Sequence, residues 1–120
     1  MKLLSVFLSL VLVLGACCSK KEIPTQPQSE IPSGIQTKLD EYKKLAAKYR
    51  PGHLTRYTYK GNFVYYFPTR CCDQMSEVYD EKGTIICRPE GGFTGKGDGK
   101  CPDFLTERKD PKILWQDDTD

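Results

Sequence analysis

Leu54-Thr55-Arg56-Tyr57-Thr58-Tyr59-Lys60-Gly61-Asn62-Phe63-Val64-Tyr65-Tyr66-Phe67 reads as two strands and a turn. β-Branched and aromatic residues fit a pleated, half-buried surface, and Gly61-Asn62 breaks the run in two, so the stretch predicts a β-hairpin. Tyr57, Tyr59, Phe63, Tyr65, Tyr66 and Phe67 are too many large side chains for one buried face, so some must stand on the other. Either both faces are covered, or part of the surface is free for recognition. Tyr57, Tyr59 and Tyr65 are the candidate binding residues, because Tyr offers contact area at low rotamer cost.

Downstream, Glu77-Val78-Tyr79, Asp80-Glu81-Lys82-Gly83 and Thr84-Ile85-Ile86-Cys87 predict a second hairpin, with Gly83 supplying the positive φ of its turn. Upstream, Ser33-x-x-Gln36 has the form of a capping box and predicts a helix running to about Arg50, where Pro51-Gly52 stops it. Leu39, Tyr42, Leu45, Ala46 and Tyr49 share one face at helical spacing, with Lys38, Lys43, Lys44 and Lys48 largely elsewhere, as in a helix laid on a sheet. Ile113-Leu114-Trp115 predicts a short final strand, and Asp117, Asp118 and Asp120 an acidic tail. The expected fold is therefore α+β: one N-terminal helix packed on a small antiparallel sheet.

Gly91, Gly92, Gly95, Gly97 and Gly99 fall within nine residues and predict an irregular loop with a mobile tip. Lys96 is followed by Gly97 rather than Ser or Thr, so this is no phosphate-binding Walker loop. Asp98 is a further candidate contact residue, but its spacing from Asp103 is not that of an EF-hand, and no metal site is assigned.

The N-terminus speaks to location. Met1-Lys2, the apolar run Leu3–Leu14 and Leu14-Gly15-Ala16-Cys17 have the form of a bacterial lipoprotein signal with its cleavage site, and the run is too short to span a bilayer. Residues 1–16 are read as signal peptide, with Cys17 as the lipid acceptor and palmitate among its acyl groups. Residues 17–32, rich in Pro, Gln, Ser and Lys, are read as a disordered tether, and residues 33–120 as one small domain. This places the protein in the bacterial cell envelope, on the periplasmic side of the outer membrane, as a monomer held by its lipid.

There are six cysteines and one histidine, and the net charge is +2, Lys2 included. The basic residues are dispersed, which argues against a nucleic-acid surface. In an exported domain Cys71, Cys72, Cys87 and Cys101 predict two disulfides. Adjacent cysteines bridge poorly, so one of Cys71 and Cys72 is expected to take Cys87 and the other Cys101, in an order the spacing leaves open.

Catalytic chemistry finds little footing. His53 is the sole imidazole, Ser76 has no partner fixed by spacing, and Asp73, Asp98 and Asp103 could equally cap turns. No enzyme activity and no cofactor are assigned. The favoured role is a binding module for an envelope protein or glycan. Alternatives are a disulfide-braced protease inhibitor presenting Arg88–Lys100, and a redox or metal-binding protein using Cys71-Cys72.

The string Cys71-Cys72-Asp73, Val78-Tyr79-Asp80, Gly83, Ile86-Cys87, Pro89, Gly91-Gly92, Thr94-Gly95, Gly97-Asp98-Gly99, Cys101-Pro102-Asp103-Phe104 resembles a family of short bacterial lipoproteins known only as a domain of unknown function. The resemblance covers about Tyr57 to Trp115. It implies export and a small cysteine-linked domain, and brings no activity, cofactor or catalytic residue.

Overall fold

The structure is a computed structural model that describes Gly15, residues 30–71 and residues 73–119. The expected signal peptide, Cys17, Cys18, most of the tether and Cys72 lie outside the described residues. Helix α1 (Ser33–Lys43) is followed by a 3-10 turn (Ala47–Tyr49), β1 (His53–Tyr59), β2 (Asn62–Phe67), β3 (Glu77–Tyr79), β4 (Ile85–Cys87), the short helix α2 (Phe104–Glu107) and β5 (Lys109–Gln116). The strands form one sheet in the order β4-β3-β2-β1-β5, every neighbouring pair antiparallel. Among the described residues no helix is long and apolar enough to cross a membrane.

Alternation along β2 explains the aromatic excess. Successive side chains of a strand point to opposite faces. Tyr65 and Phe67 join Leu54, Tyr79 and the α1 residues Ile35 and Leu39 in one cluster. Val64 and Tyr66 join Tyr59, Val78, Phe104 and the Cys87 and Cys101 side chains in a second. Both faces of the hairpin are thus covered, one by α1 and the other by the loop and α2 that follow β4.

The first hairpin turns through Lys60 (φ 48°) and Gly61 (φ 80°), with Tyr59 opposite Asn62. This is one residue earlier than the Gly61-Asn62 break suggests. Two consecutive positive φ values match the right-handed twist of the strands. The second hairpin forms as expected: Asp80 N–H donates to the Thr84 carbonyl, and Gly83 has φ 81°.

Helix α1 departs from expectation at both ends. Its N-cap is Pro32, with no side-chain cap, and Gln36 Nε2 donates to Asp40 Oδ1 at 2.9 Å instead of closing a capping box. Its first turn is positioned by packing, because Gly34 presses on the β3–β4 turn so closely that a Cβ there would lie 2.1 Å from the Lys82 carbonyl oxygen. The helix also stops at Lys43 rather than near Arg50. The Lys44 and Leu45 N–H groups reach back only three residues, to Glu41 and Tyr42, and Ala46 is extended with ψ 146°. An eleven-residue helix is marginal alone. Burial of Ile35 and Leu39, roughly 1.5–3 kcal/mol each, holds this one down, and the break brings the chain back to the sheet at the buried Pro51.

Strand β5 pairs along β1 at the sheet edge and is longer than the three apolar residues suggest. Its second and third residues are Asp110, at φ 52°, and Pro111, and the register shifts twice along the pair. The expected acidic tail is partly tied down. Asp117 N–H donates to the Gly52 carbonyl, and its carboxylate, 5% exposed, lies 3.6 Å from an Arg50 Nη and 3.3 Å from an Arg70 Nη.

Candidate functional site

Glu77 opens β3 beside Phe67 of β2, on the face covered by α1. Tyr42 on α1 and Tyr79, two residues along β3, both donate their hydroxyls to Glu77 Oε2. Arg88, one residue beyond β4, places Nε 3.3 Å from Glu77 Oε1. Burial, reinforced by the bonds to Glu77, pushes both phenols far above the ordinary tyrosine range, so they remain donors. A carboxylate engaged by two phenols and a guanidinium has little lone-pair capacity left for proton abstraction, and the cluster is built to hold shape.

A groove runs along this cluster, between the end of α1 and the β3–β4 edge. At one end it is a cleft of about 290 Å³ walled by Leu45, Tyr49, Pro51, Pro68 and Met75. At the other, a more open depression of about 580 Å³ reaches Lys38, Gly83 and Ile85. Tyr42, Leu45, Glu77 and Arg88 line both. Leu45, Tyr49, Met75 and Ile85 are 37–41% exposed, a ring of half-free apolar side chains around a fixed polar floor. This combination of apolar walls and a few placed polar groups is the usual form of a ligand cleft. Leu45 and Tyr49 were expected on the buried helix face. Ending α1 at Lys43 is what turns them into walls.

The residues singled out by sequence lie elsewhere. Tyr59 and Tyr65 are buried, 6% and 3% exposed, and Tyr57 packs against the second cluster. Tyr59 and Tyr65 thus belong to the core, while Tyr57 stays partly exposed. Tyr59 donates to Asp103 Oδ1 at 2.6 Å, with Lys60 beside the same carboxylate at 3.5 Å. Asp98 organises its own loop: its carboxylate accepts from the Arg88 and Lys100 N–H groups, each at 3.0 Å. Ser76 is buried, accepts from the Thr69 N–H and donates to Glu90, which also takes the Tyr66 hydroxyl. Asp98 and Asp103 each serve a local partner. Among the described residues no three His, Cys, Asp or Glu side chains gather as metal ligands.

The cysteine pairing requires correction. Cys87 and Cys101 bridge each other, with Cα atoms 6.0 Å apart, and neither takes Cys71 or Cys72. Cys71 is itself disulfide-bonded, and its partner lies outside the described residues. The glycine-rich loop explains the pairing. Asp98 N–H donates to the Arg88 carbonyl and Gly97 N–H to that of Gly91, so the chain doubles back and returns Cys101 to where Cys87 leaves the sheet. The loop is thus stitched along its length, including bridges from Gly91 to Met75 and Lys96, and not only at its ends. Its tip carries Phe93, 94% exposed, which composition did not single out.

These features define a small antiparallel α+β domain with a helix on one face, a disulfide-braced loop on the other and a groove at the seam. The chain belongs to the family described as Domain of unknown function (DUF6970), whose model matches residues 40–117. The match takes in both groove walls and extends beyond the stretch that carries the sequence resemblance. No curated protein and no solved structure matches the chain.

Proposed function

We propose that this protein is a lipid-anchored, non-enzymatic binding module of the bacterial cell envelope, seated on the periplasmic side of the outer membrane through Cys17, whose ligand docks in the groove between α1 and the β3–β4 edge. The observation that carries the reading is the ring of half-exposed Leu45, Tyr49, Met75 and Ile85 around the fixed Glu77 cluster. The sequence of residues 1–17 supports the anchor, and the partner is an envelope protein or glycan. The groove replaces the Tyr57, Tyr59 and Tyr65 surface as the site of contact, since two of those rings are buried.

The rival readings have less support. An inhibitory loop is held extended to enter a protease, whereas Gly91–Gly99 is folded into turns. A redox role at Cys71-Cys72 would want a free thiolate, and Cys71 is disulfide-bonded.

The test is site-specific photocrosslinking in native envelopes, with the photoreactive residue at position 45 or 75 and, as control, at the exposed position 109. A discrete adduct from the groove positions, lost on Glu77→Gln or on Leu45→Glu paired with a probe at 75, is the expected result. Equal labelling from all three positions would sink the groove as the site. Release of the Cys17→Ser protein from membranes tests the anchor separately.

A further inference from the structure

We infer that the sheet face opposite α1 carries a second site, independent of the groove, in which Arg108, set against Tyr57, Tyr66 and Phe104, receives a carboxylate of a ligand. The guanidinium lies 4.7 Å from the ring centre of Tyr57, 5.3 Å from Tyr66 and 5.6 Å from Phe104. It sits among rings inclined to one another, Tyr57 standing at 66° to Tyr66 and 86° to Phe104. Arg50, Arg70 and Arg88 each pair with a carboxylate, but among the described residues Arg108, like Arg56 over Phe63, has neither an ion-pair nor a side-chain hydrogen-bond partner. The tyrosines show the same contrast. Tyr42, Tyr59, Tyr66 and Tyr79 each donate to a carboxylate, whereas the Tyr57 hydroxyl has no such partner among the described residues.

With no carboxylate beside it among the described residues, the guanidinium has N–H groups to offer, and its planar fork matches a carboxylate bidentately. Its position among the rings is set before a ligand arrives, which lowers the ordering cost at binding. His53 completes the surroundings. Its ring meets Tyr66 edge-on with centres 6.4 Å apart, and it makes no hydrogen bond among the described residues. Burial and the Arg108 charge both hold its pKa below the ordinary value, leaving a neutral imidazole beside an uncompensated cation. Of the nearby acidic groups, Glu90 is engaged by the Tyr66 and Ser76 hydroxyls, and Glu107, directly before Arg108, is exposed. An anion on Arg108 therefore cancels the charge that His53 senses and raises the His53 pKa.

His53 is the sole histidine, so its ring resonance is an unambiguous reporter. The experiment is an NMR titration of the full-length protein in detergent micelles with sodium acetate, and separately with inorganic phosphate and sodium chloride, at constant ionic strength. Acetate is expected to give a saturable His53 shift and a higher His53 pKa, and chloride neither. Arg108→Met, which keeps an apolar stem over the rings, should weaken acetate binding at least about tenfold. If that variant does not fold, Arg108→Lys, which keeps the charge and loses the fork, should weaken it several-fold. Equal responses to acetate and chloride, saturation by phosphate alone, or binding that survives loss of the guanidinium would each overturn the assignment.

Discussion

Gly34 and Gly83 lie backbone against backbone. A Cβ on Gly83 would come 2.7 Å from the Gly34 carbonyl oxygen, and one on Gly34 would come 2.1 Å from that of Lys82. The contact pins the first turn of α1 to the tip of the second hairpin. Neither wall is a flexible side chain, so a methyl group can be accommodated only by moving backbone. Gly34→Ala should therefore destabilise the domain by about 1–3 kcal/mol despite the better helix propensity of Ala. At about 4–8 °C per kcal/mol for a domain of this size, the loss is readily seen in a thermal melt. An unchanged melting temperature would mean that α1 does not sit on the turn.

The Cys87–Cys101 bridge closes a loop of sequence separation 14. A non-reducing digest should recover these two cysteines in one linked peptide, and Cys87→Ala with Cys101→Ala should cost about 3 kcal/mol in the chain-entropy estimate. A linked peptide joining Cys71 to either of them would refute the pairing.

Alkaline stability follows from the buried phenols. Burial first, then the bond to Glu90, pushes Tyr66 up to about 12, and Tyr42 and Tyr79 are raised further by burial and their bonds to Glu77. A phenol with a raised folded pKa keeps its proton in the native state while the unfolded chain loses it. Stability is then full below pH 10 and falls as pH rises from there toward the folded values. Phenolate absorbance and circular dichroism should consequently show part of the tyrosine titration coinciding with unfolding. Smooth titration of all seven tyrosines near pH 10 in the folded protein would contradict this.

On the acid side the sign reverses through His53. Its folded pKa is depressed from 6.5, mainly by burial and secondly by Arg108. Between the folded value and 6.5 the unfolded chain binds more protons, so stability declines as pH drops through that window. His53→Gln should remove this part of the pH dependence, measured by denaturant unfolding at pH 7.5 and 5.5. Parallel curves for both proteins would show that the imidazole is not desolvated.

Phe93 gives the opposite kind of expectation. At 94% exposure it contributes almost nothing to the core, so Phe93→Ser should change stability by less than about 0.5 kcal/mol. A larger loss in a thermal melt would place the ring against the domain.

The two hairpins were readable because they depend on local signals: alternating β-branched and aromatic residues around glycine turns. The final strand was readable in position, through Ile113-Leu114-Trp115, but not in length, since its polar first half gains order by pairing with β1. Helix α2 left no trace, as four residues span little more than one turn. The end of α1 was misread because Leu45, Ala46 and Tyr49 fit a helical period while standing on another element or between elements. The groove was hidden for the same reason: its walls come from the α1 terminus, the β2–β3 connection and the β4 exit, joined only by folding. The disulfide depended on a loop that doubles back through its own backbone bonds, which cysteine spacing does not encode.

The outer edge of β5 would otherwise offer a row of free amides and carbonyls to any neighbouring strand. Asp110, at φ 52°, and Pro111 interrupt that row near its start, and Lys109 and Lys112 set charges on either side. A bulged, proline-bearing, charged border is a poor template for strand addition. Under the proposed lipid anchor, many copies would meet at high local concentration, where an open border would invite sheet-to-sheet polymerisation. The irregular first half of β5 lets the domain be crowded without being contagious.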